Sequence, residues 1–521
     1  MSKRSKDMPV ESTADAGELL PGMPRLNVLR QTPTPEALQL IPESLARKYN
    51  AIPLAIVDNT LQVAMANPDD VLAIEALAAR TKKRIEPVPA AAADIREAID
   101  FNYTAFAEIA NRFSSVGTTP ETTAPEVITA EAADDSPVAH ALNLVIEEAV
   151  KARASDIHIE PEVDRLRVRY RIDGTLHDVI SLPLGAHAAL VSRIKILGGM
   201  NIADHRRPQD GQFSVETVGK DIDIRVATIS TVHGEMAVLR LLDKSLGALS
   251  LSQLGFLPES RERFEQMLMA PYGMVLISGP TGAGKTTTLY AAINSLDNVS
   301  RNIITIEDPV EYRFAGVNQI QINPRAGLTF ATGLRSIVRL DPDVILVGEI
   351  RDSETAQIAI QSALTGHLVL SSVHANDTVG VLFRLIDLGV EPFLICSGVI
   401  GIVAQRMVRR VCPYCAHSVT VPLVEQIAYN RVTGEERSEF LCGDGCKACV
   451  YTGYLGRTGV FEMLMVTDGI RRLLLSGASA AEIRAQAIGE GMVTLVRDSM
   501  LKAKAGTTTP YEVLRNAYLG D

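Results

Sequence analysis

The chain has 521 residues, 46% of them hydrophobic and 22% charged, with a formal net charge of −11. That length holds about three domains, each long enough to bury its own core. The surplus of Asp and Glu over Lys and Arg excludes a general nucleic-acid coat and leaves room only for a local basic patch.

The basic start Met1-Ser2-Lys3-Arg4-Ser5-Lys6 runs into Glu11, Asp15 and Glu18 without an apolar stretch, which is not the pattern of a secretory signal. The longest apolar run, Phe393 to Ala404, is interrupted by Cys396, Ser397 and two glycines and is too short to cross a bilayer. A cytoplasmic location without a transmembrane helix is therefore expected. Six cysteines in such a chain point to metal binding rather than to a disulfide framework.

Residues 1–24 are polar and read as a flexible tail. Residues 25–113 turn globular, with a helical stretch at Pro42 to Lys48, strand-like runs at Ile52 to Val57 and Leu61 to Met65, and helices near Asp70 to Arg80 and Ala93 to Ile99. This predicts a small α+β domain without a catalytic cluster, an interaction or packing module. Residues 114–135, rich in Thr, Pro, Ala and acidic residues, read as a linker that leaves that domain free to act as a tether.

Residues 136–250 read as a second α+β domain, with a helix from His140 to Lys151 and alternating strands at Asp156 to Glu160 and Leu166 to Ile172. It is dense in arginine: Arg167, Arg169 and Arg171 alternate, and Arg207, Arg225 and Arg240 follow. The alternating set is either a solvated strand face or a source of cations for a neighbouring phosphate site.

Residues 251–411 carry the chemistry. The apolar run Met274 to Ser278 suits a buried parallel strand, and Thr288 to Ile293 continues as a helix. Between them, Gly279-Pro280-Thr281-Gly282-Ala283-Gly284-Lys285-Thr286-Thr287 matches G-x-x-x-x-G-K-[ST], in the strand–loop–helix setting that a phosphate loop requires. The glycines let backbone N–H groups converge on phosphates, Lys285 adds charge at the β/γ positions, and the Thr286 hydroxyl suits Mg²⁺. Gly279, Thr281, Gly282, Ala283, Gly284, Lys285, Thr286 and Thr287 are the expected nucleotide contacts. The strand Ile303 to Ile306 ends in Glu307, Asp308 and Glu311, at the end of a parallel strand where ligands bind, so Glu307 is a candidate to position metal or water. The buried run Val344 to Val347 is followed by Gly348 and Glu349 where many phosphate-loop enzymes place Asp. Glu349 is assigned to Mg²⁺ and the attacking water, the alternative being an acid that caps the next helix. The strand within Thr365 to His374 is bracketed by His367 and His374, either core histidines or, at strand ends, groups that sense the γ-phosphate or link subunits; His374 is kept as the site candidate.

Cys412-Pro413-Tyr414-Cys415 and Cys446-Lys447-Ala448-Cys449 are two C-x-x-C pairs within residues 412–456. Four thiolates make a closed tetrahedral Zn²⁺ site of structural type, with disulfides or inert thiols as the alternatives. Cys442 is a possible substitute for Cys446, and Cys396 reads as core. Residues 457–521 read as a helical subdomain, with helices at Ile470 to Leu475, Ala480 to Ile488 and Thr494 to Lys504.

Together these motifs resemble the ATPases that drive type II secretion and type IV pilus assembly. The resemblance spans about residues 136 to 521 and is carried by Ala154 to Pro161, Arg207 to Gly211, the phosphate loop, an acidic box at Thr305 to Arg313, Leu340 to Asp352, Thr365 to His374 and the four cysteines. Residues 41–46 and 63–68 resemble the adaptor-binding domain of the same family. The resemblance implies an α/β protein: a RecA-like P-loop ATPase core, a preceding α+β domain, a small N-terminal α+β domain and a zinc-binding insertion. It implies a cytoplasmic homo-oligomer, a hexameric ring that uses ATP, Mg²⁺ and Zn²⁺. Its partners would be an inner-membrane platform protein and a cytoplasmic adaptor, with no nucleic acid, so that it sits at the membrane only through partners. It carries Arg207, Arg225 and Arg240 over as γ-phosphate contacts, Arg225 foremost. The cysteine tetrad favours an assembly motor over a retraction motor. Some relatives bind a cyclic dinucleotide through an N-terminal motif with Arg-Leu-Gly near its start; Arg25-Leu26-Asn27 departs from it, so this regulation is not expected. Two rival readings are a nucleic-acid motor built on the same core and a scaffold that binds ATP without turning it over.

Overall fold

The computed structural model describes residues 33–99, 103, 137–243, 249–297 and 299–516. The expected tail, the expected linker and Arg25-Leu26-Asn27 lie outside them. The chain divides into two compact units, one holding the described residues up to Gly219 with Asp223–Leu242, the other Lys220–Ile222 with the described residues from Asp243 onward.

In the first unit, β1 (Ala51–Val57) pairs antiparallel with β2 (Thr60–Met65), and β2 pairs in parallel with β3 (Arg84–Pro89). The crossover is the helix Val71–Thr81, started by Asp70, whose carboxylate accepts from the Ala73 N–H at 3.1 Å. The expected elements are present here, with helices at Glu43–Tyr49 and Ala92–Ile99. β3 goes beyond them: its prolines at 87 and 89 argue against a strand, and its edge position is what tolerates them.

The unit continues with a six-stranded sheet of order β6-β5-β4-β9-β8-β7. Its strands are β4 (Ala154–Pro161), β5 (Arg165–Ile172), β6 (Thr175–Pro183), β7 (Gln209–Thr217), β8 (Lys220–Thr231) and β9 (Gly234–Asp243). β5 alternates half-buried and buried positions, so Leu166, Val168, Tyr170 and Ile172 face the core and the arginines face away. Helix Pro137–Lys151 covers the buried face, tied by the Tyr170 hydroxyl donating to the Val145 carbonyl at 2.7 Å.

The second unit is built on a seven-stranded sheet of order β12-β11-β13-β14-β10-β15-β18. β10 (Gly273–Ser278), β11 (Ile303–Glu307), β12 (Asn318–Gln321), β13 (Val344–Val347), β14 (Leu368–Val373) and β15 (Val399–Val411) are parallel; β18 (Tyr454–Met465) runs antiparallel to β15. Alternate β10 side chains enter different cores: Met274 and Leu276 join one with Ile345, Ile360 and Leu382, and Val275 and Ile277 join another with Phe264, Leu289 and Phe461. Such two-sided burial is what a continuous apolar strand requires. The apolar run from Phe393 splits at Val399, helix Pro392–Gly398 before it and β15 after it, with Cys396 in the core as expected.

Between β15 and β18 the chain makes an excursion: β16 (Ala416–Thr420) and β17 (Glu439–Gly443) pair antiparallel around the helix Leu423–Thr433. Val421, Tyr429 and Phe440 pack with Met500, Ala503 and Val513 of the C-terminal helices Leu495–Lys504 and Pro510–Asn516. No helix among the described residues is long and apolar enough to cross a membrane.

Candidate active site

Strand β10 is buried along its length and lies between β14 and β15, so the turn leaving Ser278 emerges at the C-terminal edge of the sheet. That edge is where open parallel sheets bind ligands. Gly279 has φ 147°, and a Cβ there would lie 2.4 Å from the Gln405 carbonyl oxygen of β15, so any side chain would collide. Gly284, at φ 86°, is the N-cap of the helix Lys285–Ser295. Its unpaired amides and the helix dipole together favour an anion at the loop. Thr281, Gly282 and Thr286 are exposed, Gly284, Lys285 and Thr287 half-buried, and Ala283 is buried beneath them. The Lys285 ammonium donates to the Gly279 carbonyl at 2.9 Å and the Pro280 carbonyl at 3.2 Å. Burial pulls its pKa below the ordinary lysine value, partly offset by the charge of Glu349.

Glu349 follows β13 at the same edge. The Gly348 N–H donates to the Ile306 carbonyl at 2.8 Å, and a Cβ at Gly348 would stand 3.3 Å from that oxygen and 3.4 Å from the Glu307 Cα. Glycine therefore lets β13 close tightly on β11, which is a physical reason for Gly348 where other enzymes have Asp. Ser371 and Ser372 of β14 brace this turn, their hydroxyls donating to the Val347 carbonyl at 2.7 Å and the Gly348 carbonyl at 2.8 Å. The Glu349 side chain, 14% exposed, is clamped by the Arg351 guanidinium and has His374 Nε2 at 3.5 Å. Lys285, Glu349 and His374 thus come together. His367 does not: it sits before β14, at the opposite end of the strand, with Nδ1 2.9 Å from the Ser362 carbonyl.

Glu307 is near but enclosed. It is 3% exposed, and its carboxylate accepts from the Tyr290 hydroxyl, from Thr305 Oγ1 at 2.6 Å and from Gln319 Nε2 at 3.3 Å. Tyr290 belongs to the phosphate-loop helix, and burial together with this carboxylate drives its pKa up. Glu307 therefore ties that helix to β11, and both its oxygens are occupied by protein donors.

In the first unit, the ambiguity over the alternating arginines resolves into ion pairs. Arg167 meets Asp178 at 2.7 Å and Glu162 at 3.1 Å, Arg169 meets Glu160 at 2.6 Å, and Arg171 meets Asp156 at 3.5 Å. Arg240 of β9 donates to the same Asp156 at 3.1 Å, and Arg225 is half-buried on β8. Arg207 stands in the turn before β7, its side chain 86% exposed. That turn is held from below. Asp204 accepts from the Arg206 and Arg207 N–H groups, and its carbonyl accepts from the fully buried Lys195, which pairs with Glu235 of β9 at 2.5 Å. No role for Lys195 or Glu235 follows from the sequence alone; the signals there are a charged residue inside an apolar helical pattern and, in His233-Gly234-Glu235, another at a strand start.

The four expected ligands Cys412, Cys415, Cys446 and Cys449 come together with their sulfurs within 4.8 Å of one another. Sγ–Sγ separations are 3.8 Å for Cys412–Cys446, 3.9 Å for Cys415–Cys449 and 3.8 Å for Cys446–Cys449. Four sulfurs at about 2.3 Å from a central ion make a tetrahedron with edges of about 3.8 Å, so the donor set fits a tetrahedral thiolate centre. The Gly445 and Cys446 N–H groups donate to the sulfurs of Cys415 and Cys449. Cys442 lies outside the group, on β17 opposite His417.

Comparison with known proteins gives the family. Residues 131–515 match the family described as type II/IV secretion system protein, and residues 22–105 match the MshEN domain. The chain is 41% identical over 503 residues to the type IV pilus assembly ATPase PilB of Myxococcus xanthus, covering 95% of this chain and 89% of that one. It is 40% identical over 495 residues to the type II secretion system protein E of Dickeya dadantii, covering 92% and 98%. The structure of the Legionella pneumophila ATPase DotB, 19% identical, shares the fold at a TM-score of 0.53 over 71% of this chain and 94% of that one. With a matching family model over most of its length, the chain belongs to the type II/IV secretion system ATPases.

Proposed function

We propose that this chain is an ATP-hydrolysing motor for assembling pilin or pseudopilin filaments, in type IV pilus biogenesis or type II secretion. The observation that carries the reading is Glu349 at the sheet edge, with Arg351 and His374 on its carboxylate and Lys285 within its electrostatic reach. The amides of the loop from Gly279 to Thr287 and the Lys285 ammonium bind the phosphates, and the Thr286 hydroxyl would hold a Mg²⁺ ion, which would supply positive charge to the phosphoryl oxygens. Glu349 orients the attacking water and accepts its proton, while His374 reports the state of the γ-phosphate. Glu307 serves this site through Tyr290 and the loop helix. Arg207, Arg225 and Arg240 contribute cations to the γ-phosphate. The four thiolates hold a structural Zn²⁺, with no open position for chemistry. The family resemblance supports a hexameric ring in the cytoplasm, reaching the inner face of the membrane through a platform protein and an adaptor. Light scattering with and without nucleotide measures the ring.

The decisive experiment is Glu349→Gln. The variant keeps the size of the side chain and removes the base, so nucleotide binding stays near that of the unsubstituted chain while phosphate release slows by about a hundredfold or more. Near-normal turnover would remove Glu349 from this role.

A further inference from the structure

Both the main chain and the side chain of Gln405 press on the phosphate loop. It lies on β15 next to Ala404, which pairs with Ser278 at the end of β10. It is 2% exposed. Its Nε2 donates to the Ala283 carbonyl at 2.5 Å, and its own carbonyl oxygen is the atom that forbids a side chain at Gly279. Its Oε1 meets no donor among the described residues. A buried acceptor without a donor is costly, and a methionine would fill the same space without it, so packing alone does not account for an amide here.

We propose that Gln405 is a positioning residue for the phosphate loop: by holding the Ala283 carbonyl against β15, it turns the Gly284 N–H toward the bound phosphates. The Ala283 C=O and the Gly284 N–H belong to one planar trans peptide and point in opposite directions, so fixing one fixes the other. An anion-binding nest depends on amides that are oriented before the ligand arrives. The glycine at 284, with φ 86°, makes this peptide free to rotate unless something holds it. Lys285 holds the Gly279 and Pro280 carbonyls, but its ammonium is the group that phosphates attract away. Gln405 is neutral and buried, and ligand does not draw it off.

This inference rests on reading the loop as a nucleotide-phosphate site, and the test separates the two. A fluorescent ATP analogue is titrated with Mg²⁺ into the full chain, Lys285→Ala, Gln405→Met and Gln405→Glu, and melting temperatures are recorded without nucleotide. Gln405→Met, which loses the donor and the unmatched acceptor together, binds roughly tenfold more weakly and melts at or above the unsubstituted temperature. Gln405→Glu, which cannot donate when ionised and adds a negative charge, binds more weakly still. Binding by Gln405→Met within about twofold of the unsubstituted chain, or unweakened binding by Gln405→Glu, overturns the proposal. A weakened Gln405→Met that also melts more than about 5 °C lower overturns it too, since the residue is then only structural. If the unsubstituted chain binds no better than Lys285→Ala, the reading of the loop itself fails, and this inference with it.

Discussion

Glu235 occupies a place where burial alone would favour the neutral acid, yet hydrogen bonds from Lys195 and His205 hold its pKa below the ordinary carboxylate value of 4.5. A carboxyl with a lowered folded pKa stabilises the fold above its unfolded pKa, and that contribution is lost as the pH falls through the folded one. Glu235→Gln also leaves the fully buried Lys195 ammonium without its partner, at a cost of about 3 kcal/mol at neutral pH. Equilibrium unfolding should therefore show a gap between the two proteins that is widest at neutral pH and narrows below about pH 4.5. A gap that stays constant down to pH 3 would remove the ion pair as its cause. The same residues show what a sequence can and cannot reveal about a site. Lys285, Glu349 and the cysteines stand in local spacings whose chemistry is recognisable before any fold is known. Ser372 and Gln405 act on backbone carbonyls of distant segments and Lys195 pairs with the distant Glu235, and their meaning exists only once β14, β15, β9 and the helix His187–Leu197 are in place.

At the scale of elements, the strands buried on both faces and the helices with local caps were readable. Asp70, for example, stands at the start of an expected helix and begins Val71–Thr81 by accepting from the Ala73 N–H at 3.1 Å. β18 was not, because Gly456, Arg457, Gly459 and Glu462 break its alternation, and its extended state comes from pairing with β15 over Gly401–Val411. The excursion between these strands was readable only as a metal site, whereas it also has a core of its own around Tyr429 and Phe440. This dual support decides what metal loss does. Cys446→Ser, or a chelator, should loosen residues 412–417 and 442–453, while the helix Leu423–Thr433 keeps its protection through Met500 and Val513. Hydrogen exchange read by mass spectrometry, with metal analysis of the same samples, checks both halves. Cys442→Ser should retain the metal, because its sulfur lies outside the cluster.

At the scale of the whole molecule, the question is where a motor with a net charge of −11 finds free cations for a polyphosphate. The alternating arginines of β5 are already paired: Arg167, Arg169 and Arg171 each face a carboxylate within 3.5 Å, and Arg240 shares Asp156 with Arg171 at 3.1 Å while its side chain stays 60% exposed. Arg207 is different, since its guanidinium is 86% exposed and Asp204 is 3.7 Å away, with that carboxylate also accepting two backbone N–H groups. On the proposed role of Arg207 as a γ-phosphate contact, what matters is an exposed cation on a backbone turn that a buried ion pair anchors. Arg207→Ala should then lower turnover by about a hundredfold with little change in ADP affinity, and Arg225→Ala should do the same if both serve the γ-phosphate. Arg240→Ala should combine a smaller loss of turnover with a lower melting temperature, because it leaves the buried Asp156 with Arg171 at 3.5 Å and the Ser155 hydroxyl. Steady-state phosphate release set beside ADP titrations distinguishes these outcomes. Unchanged turnover in Arg207→Ala and Arg225→Ala together would mean that hydrolysis draws its cations from elsewhere, with Lys285 and Arg351 as two positive charges at the sheet edge.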